Sequence, residues 1–320
     1  MKNLVLMLLL FLFPALGYAA CTTAAASGTF PATSTLTAAS AANPTSATTA
    51  VNCGGGSLLS LGSDNYIIYQ FTTATNLSGT QATLKKDTTT DNIPVKMCID
   101  SGCVTELKYG ASYTYNYSAL SLLGIGGNSN FSIPLYFTTV TGQTVAAGTY
   151  TVQITLTATY RVCTLIGIGS LCIGLQTGTL SIPITLTYIL SNDCSTIAAP
   201  ALSFGSAPLV SSFSSVSQTI NVTCSKGSTY TVGLSNGSYY TTTRNMASGT
   251  NRLAYEIYKG TTGTSRWGPL GTERWSSASA TTPATTGTVS GFTYTAQILT
   301  SQTTPAAGSY TDSVTVDLSF

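Results

Sequence analysis

The chain has 320 residues, room for about two ordinary domains. Only 7% of its residues are charged, against about 25% in an average soluble domain. Net charge is +2, or +1 once Lys2 leaves with a leader peptide, so no basic surface can track a phosphate backbone and nucleic acid is not expected as a partner. There is no histidine, which removes Ser-His-Asp and Cys-His machinery, His-bound zinc and the usual general base near neutral pH. Ten carboxylates remain, and their spacing forms no metal-type cluster. Neither an enzyme nor a cofactor is expected. Serine and threonine supply 97 of the 320 residues. With Val, Ile and Tyr as strand formers and Gly and Asn as turn formers, the composition points to an all-β chain.

Residues 1–20, MKNLVLMLLLFLFPALGYAA, have a charged start at Lys2, an apolar stretch from Leu4 to Leu16 and a small-residue cleavage site. This is the pattern of a secretory signal peptide. Eight cysteines follow in an exported chain and are read as disulfides. Cys98 and Cys103 enclose a short hairpin-like clip, and Cys163 and Cys172 bracket a tight loop. The remaining four then pair as Cys21 with Cys53 and Cys194 with Cys224.

Along the chain, Gly54–Gly62 is the first of three segments that mix Gly with Leu or Ile and break the alternation expected of strands. The others are Leu120–Gly127 and Leu165–Leu175. Apolar, nearly uncharged loops suggest exposed contact surfaces. Their candidate contact residues are Leu58, Leu59 and Leu61 in the first, Leu122, Leu123 and Ile125 in the second, and Ile166, Ile168 and Leu171 in the third. Tyr113, Tyr115 and Tyr117 would share one face of a strand, giving either a sugar platform or a cross-strand tyrosine ladder. Period-two runs at Tyr150–Leu156, Leu180–Tyr188, Ile220–Cys224 and Val314–Phe320 read as half-buried strands. Pro183 marks the second of these as a possible edge strand. Arg266-Trp267 and Arg274-Trp275 read as structural, because adjacent residues point to opposite faces of a strand. No run of helical period stands out after the leader.

Two features repeat. Ala146-Ala-Gly-Thr-Tyr150 matches Ala306-Ala-Gly-Ser-Tyr310, and each follows a cysteine pair of similar separation. The expected organisation is a first domain over 21–190 and a second over 191–320, both immunoglobulin-like β-sandwiches. The first continues past its repeat motif into Leu180–Tyr188. The second has no such segment, so it is expected to lack its last strand and leave a groove for a strand from another chain.

Cys194, Phe204-Gly205, Ile220-Asn-Val-Thr-Cys224, Leu253-Ala-Tyr-Glu-Ile-Tyr258, Trp267-Gly268 and Gly308–Val316 resemble the spore coat protein U domain family. That family includes subunits of archaic, Csu-type chaperone–usher pili. The first domain resembles it more loosely, through Cys21, Phe30, Cys53 and the AAGTY strand. The resemblance implies an adhesin exported through the periplasm to a pilus tip. Its implied partners are a periplasmic chaperone, an outer-membrane usher and the next pilin subunit, which donates a strand. Hydrophobic surfaces would be bound through the first domain's loops. In rod subunits of the family an N-terminal extension donates that strand. Here Cys21 follows the leader by at most one residue, so a subunit that accepts but does not donate is expected. A structural coat or surface-matrix protein without a ligand is the alternative, and a tyrosine-based lectin a weaker one.

Overall fold

The computed structural model describes residues 20–57, 59–61, 64–86, 90–116, 128–168, 171–284 and 288–320. They group into two compact units. The first spans the chain to Ile189, except for Thr33–Ser40 and Thr144–Gly148, which group with Leu190–Phe320 in the second.

The first unit is built on two 21-residue strands, Gly148–Ile168 and Leu171–Ser191, which are neighbours in its sheet. Along the first, Tyr150, Val152, Ile154, Leu156, Ala158 and Tyr160 are buried while the intervening residues are half-exposed or exposed. Along the second, Ile182, Ile184, Leu186 and Tyr188 are fully buried. Period-two sequence thus gives each strand one core face. Beyond Gly148–Ile168 the order continues through Gln81–Lys85, Asn92–Cys98, Asn128–Thr139 and Pro44–Ser57, and Tyr66–Ala74 also pairs with Gly148–Ile168.

Pro183 does not leave a bare edge. Immediately after it, Ile184–Thr187 pair in parallel with Ala26–Thr29, so the ladder on that side starts one residue past the proline, which has no N–H to give. Gly28 sits at the closest approach. A Cβ there would meet the Leu186 side chain at 3.0 Å and the Ser46 carbonyl oxygen at 3.1 Å.

Two of the three Gly/Leu/Ile segments, expected as loops, are largely strand. Pro44–Ser57 runs through the three glycines, and Leu59–Leu61 pairs in parallel with Ile166–Ile168. The described residues of the third segment belong to the ends of the two long strands, Gly148–Ile168 and Leu171–Ser191. Backbone pairing explains the change: glycine and isoleucine can both satisfy a ladder, and the ladder ties the two segments together. Of the second segment, Leu120–Gly127 lies outside the described residues.

The chain also contains a helix that periodicity missed, Thr35–Ser40. Six residues are too few to show a helical period. Its start carries a readable cap: the Ser34 hydroxyl accepts from the Thr37 N–H at 3.2 Å.

The second unit has a larger sheet ordered Cys194–Ala198, Val216–Cys224, Val289–Ile298, Asn251–Lys259, Arg244–Ser248, with Ser265–Arg266 added to Asn251–Lys259. Its smaller sheet is ordered Trp275–Ser276, Thr231–Leu234, Val316–Ser319. Trp267 is fully buried in the core, its ring edge-on to Trp275 with centroids 5.0 Å apart. The run expected to be strand from Val314 to Phe320 is strand only at Val316–Ser319.

All four disulfides join the expected pairs, Cys21–Cys53, Cys98–Cys103, Cys163–Cys172 and Cys194–Cys224. The two long ones are structural equivalents. Cys194 and Cys224 are register partners on antiparallel strands. Beside the Cys21–Cys53 bridge, Thr22 and Asn52 exchange backbone hydrogen bonds of 2.7 and 2.8 Å in the same antiparallel sense. The repeat read from sequence is therefore a repeat of architecture.

Candidate functional site

In the first unit the first and third glycine-rich segments are joined. The parallel register sets Leu59 beside Ile166 and Leu61 beside Ile168. Asn128, the residue after the second segment, pairs with Ser57 in the first. Among the described residues, backbone pairing thus joins the first segment to the third and to the residue that follows the second. Leu58, Leu122, Leu123 and Ile125 lie outside the described residues.

The clearest surface feature is on Leu171–Ser191. Leu171, Ile173 and Leu175 are 61, 47 and 46% exposed. Residues two apart on a strand share a face, so these three form one apolar row in solvent. Of the sequence candidates only Leu171 belongs to it. Ile173 and Leu175 were in the segment but were not singled out, although the period-two spacing from Leu171 pointed to them. The ribbon is fastened beneath by the Cys163–Cys172 bridge and by the Thr164 hydroxyl, which donates to the Gly174 carbonyl at 2.9 Å.

Of the two arrangements expected of the tyrosine strand, the geometry of Tyr113 and Tyr115 is that of the ladder. Tyr115 is buried, edge-on to Tyr69 with centroids 5.5 Å apart and to Tyr113 at 4.9 Å. Burial pushes its phenol well above the usual range. Tyr113 is half-buried opposite Tyr69. This is a cross-strand aromatic ladder facing the core. Tyr117 lies outside the described residues.

In the second unit a groove of about 400 Å³ opens between the segment at Ala199–Phe204 and the one at Tyr310–Val316. Its walls are mainly apolar, including Leu202, Phe204, Tyr255, Val314 and Val316. Leu202, Phe204, Val314 and Val316 are only partly buried against the core.

Beside this core lies an ion-pair chain that sequence reading missed. Arg244 is fully buried and its guanidinium meets Glu256 at 2.5 Å. It also donates to the carbonyls of Ser235 at 2.7 Å and Trp267 at 2.8 Å. The other Glu256 oxygen takes Arg266 at 2.6 Å, and Arg266 continues to Glu273 at 2.6 Å. Burial pulls the Arg244 guanidinium below its usual range, opposed by the Glu256 charge. Arg274 pairs with Asp317 at 2.7 Å and donates to the Thr231 hydroxyl at 2.9 Å, so both Arg266 and Arg274 make structural contacts, as their alternation with Trp267 and Trp275 implied. No group of three or more potential metal ligands occurs among the described residues.

The model of the spore coat protein U domain matches the chain twice, over residues 9–157 and 179–317. The chain belongs to the spore coat protein U domain family. Each match holds one of the two equivalent disulfides. The second begins within Leu171–Ser191. Among solved structures, a chain of the CsuC–CsuE complex is similar. That complex is described as a chaperone–tip adhesion subunit pre-assembly complex from archaic chaperone-usher Csu pili of Acinetobacter baumannii. The match is 23% identical, covers 94% of this chain and 100% of that one, and has a TM-score of 0.56. The similarity shows that the two spore coat protein U domains share that fold. The CupB6 tip adhesin of Pseudomonas aeruginosa matches more distantly, at 12% identity over 87% of this chain and 86% of its own, with a TM-score of 0.32. No match was found among curated proteins.

Proposed function

We propose that the protein is an exported, cell-surface adhesin at the tip of a chaperone–usher pilus. One observation carries the reading. Aligned on the repeated Ala-Ala-Gly motif, Tyr150, Ile154 and Leu156 correspond to Tyr310, Val314 and Val316. The first set is fully buried on the core face of a strand that has Leu171–Ser191 as its sheet neighbour, whereas the second is only partly buried and lines an open groove. The Phe residues repeat the contrast. Phe30 is buried against Tyr188 of the closing strand, with centroids 5.2 Å apart, while Phe204 is half-exposed at the groove. The first unit is complete and the second lacks the equivalent of one strand.

A strand from another subunit would fill that groove by β-augmentation, burying the half-exposed side chains. A periplasmic chaperone would shield it before assembly, and an outer-membrane usher would deliver the chain to the fibre. Because the closing strand of the first unit lies just ahead of Cys194, it occupies the place of an N-terminal extension of the second copy. It is spent within this chain, which suits a subunit that only accepts. Two domains spanning the sequence to about residue 190 and from about 191 onward divide the work: contact by the first, assembly by the second.

Contact would be made by the apolar row Leu171, Ile173, Leu175 with the glycine-rich segments bearing Leu58, Leu59, Leu61, Leu122, Leu123, Ile125, Ile166 and Ile168. Each such side chain removed from water against an apolar surface contributes about 1.5–3 kcal/mol, and many tips act together by avidity.

Two altered proteins test the reading. Appending a flexible linker and an alternating apolar strand after Phe320 should raise the melting temperature and abolish aggregation; unchanged behaviour overturns the acceptor role. The triple substitution Leu171→Thr, Ile173→Thr, Leu175→Thr should leave folding intact and sharply reduce attachment of fibre-bearing cells to hydrophobic plastic. Undiminished attachment overturns the adhesive role.

A further inference from the structure

The alternate positions of the two aligned runs differ in kind at one place. Tyr150, Val152, Ile154, Leu156, Ala158 and Tyr160 in the first unit correspond to Tyr310, Asp312, Val314, Val316, Leu318 and Phe320 in the second. Val152 is buried in the core. Asp312, its counterpart, is the one charged residue among those lining the groove. One carboxylate oxygen accepts the N–H groups of Ser238 and Ser313, both at 2.8 Å. The other accepts the Tyr255 hydroxyl at 2.6 Å. An ionised carboxylate can accept about four hydrogen bonds, so one acceptor direction remains, on the oxygen that faces Tyr255 and packs on one side against Gly237.

A strand laid in the groove would strip water from that oxygen. An all-apolar strand would leave it desolvated and underpaired, which is costly. A side chain carrying an ammonium, amide or hydroxyl donor would complete it. A slip of two residues would move the donor onto apolar walls and an apolar side chain onto the carboxylate, so the same contact penalises wrong registers. We propose that Asp312 is the register and specificity determinant of this groove: the extended segment that docks there, from another protein chain, is apolar at its inward positions except one, which presents a hydrogen-bond donor to Asp312. The proposal rests on the strand-acceptor reading above.

The test uses peptides with the sequence Ser181–Tyr188, the segment that closes the first unit. The parent is compared with four versions in which Lys replaces Ile182, Ile184, Leu186 or Tyr188 in turn. Binding to the purified full chain is followed by fluorescence anisotropy. One Lys peptide should bind about tenfold tighter than the parent, the scale of one charge-assisted hydrogen bond. Asp312→Asn, which keeps the shape and the acceptor toward Ser238, should reduce that preference, and Asp312→Val should reverse it in favour of the parent. If the parent binds tightest to the native chain, or the ranking is the same in both variants, Asp312 only fastens its turn and the proposal fails. If no peptide binds a chain whose near-ultraviolet circular dichroism is native, the strand-acceptor reading fails, and the proposal with it.

Discussion

The rings of Phe30 and Tyr188 meet inside the first unit with centroids 5.2 Å apart, joining its first strands to the one that closes it. The Tyr188 hydroxyl accepts from the Asn43 side chain at 2.8 Å, so the phenol is held at both ends. Replacing Tyr188 with Ala should destabilise the first unit by about 3–5 kcal/mol, as for other large buried aromatics. Tyr188→Phe removes only the hydrogen bond and should cost about 0.5–1.5 kcal/mol. Urea denaturation resolves both, with the second unit's transition as internal control. Equal effects of the two substitutions would refute a packing role for the ring.

Arg244 and Glu256 make the second expectation. Both are buried, and removing one partner strands the other charge. Arg244→Met should therefore cost about 3–5 kcal/mol. The double substitution Arg244→Met, Glu256→Gln should cost less than the sum of the singles, because no charge is then left unpaired between these two positions. A double-mutant cycle by chemical denaturation measures this, and additivity would show that the pair is uncoupled.

The disulfides are expected to matter by loop size. Cys21–Cys53 and Cys194–Cys224 close loops with separations of 32 and 30 residues, and replacing either pair by Ala should cost about 3–4 kcal/mol in the chain-entropy account. Peptide mapping without reduction should recover the four pairs and no bridge between the halves of the chain.

Asp100 makes a pH-dependent prediction. The N–H groups of Val104 and Thr105 donate to its carboxylate at 2.9 and 2.8 Å and hold its pKa below the usual carboxylate range. A depressed folded-state pKa means a contribution present above the unfolded value and lost as pH falls through the folded one. Amide NMR of Val104 and Thr105 should therefore titrate with a midpoint below 3.8. Asp100→Asn should remove that transition and leave the rest of the spectrum unchanged.

Much of this was legible in the sequence because it rests on local rules. Period-two alternation gave Tyr150–Leu156 and Ile220–Cys224, and cysteine spacing gave the bridges. Repetition of Ala-Ala-Gly-x-Tyr gave the two copies. Long-range pairing was not legible. Nothing local to Leu59 says that it pairs with Ile166, so glycine-rich strands read as loops. Arg244 and Glu256 look like ordinary solvent-facing charges until the fold closes around them. The apolar row fell between these cases: Leu171 was recognised, while Ile173 and Leu175 were hidden by the expectation of a loop, in which alternation has no meaning.

The two long disulfides have a mechanical consequence. A chain pulled from its ends extends by about 3.3–3.6 Å for each residue released. Covalent bridges across separations of 32 and 30 residues shunt the load past the segments they enclose. If either unit yields under tension, roughly 100 Å of potential slack stays locked behind its bridge. The oxidised protein should therefore show shorter unfolding steps in single-molecule extension than the reduced one, and its length under load should depend on the redox state of its surroundings.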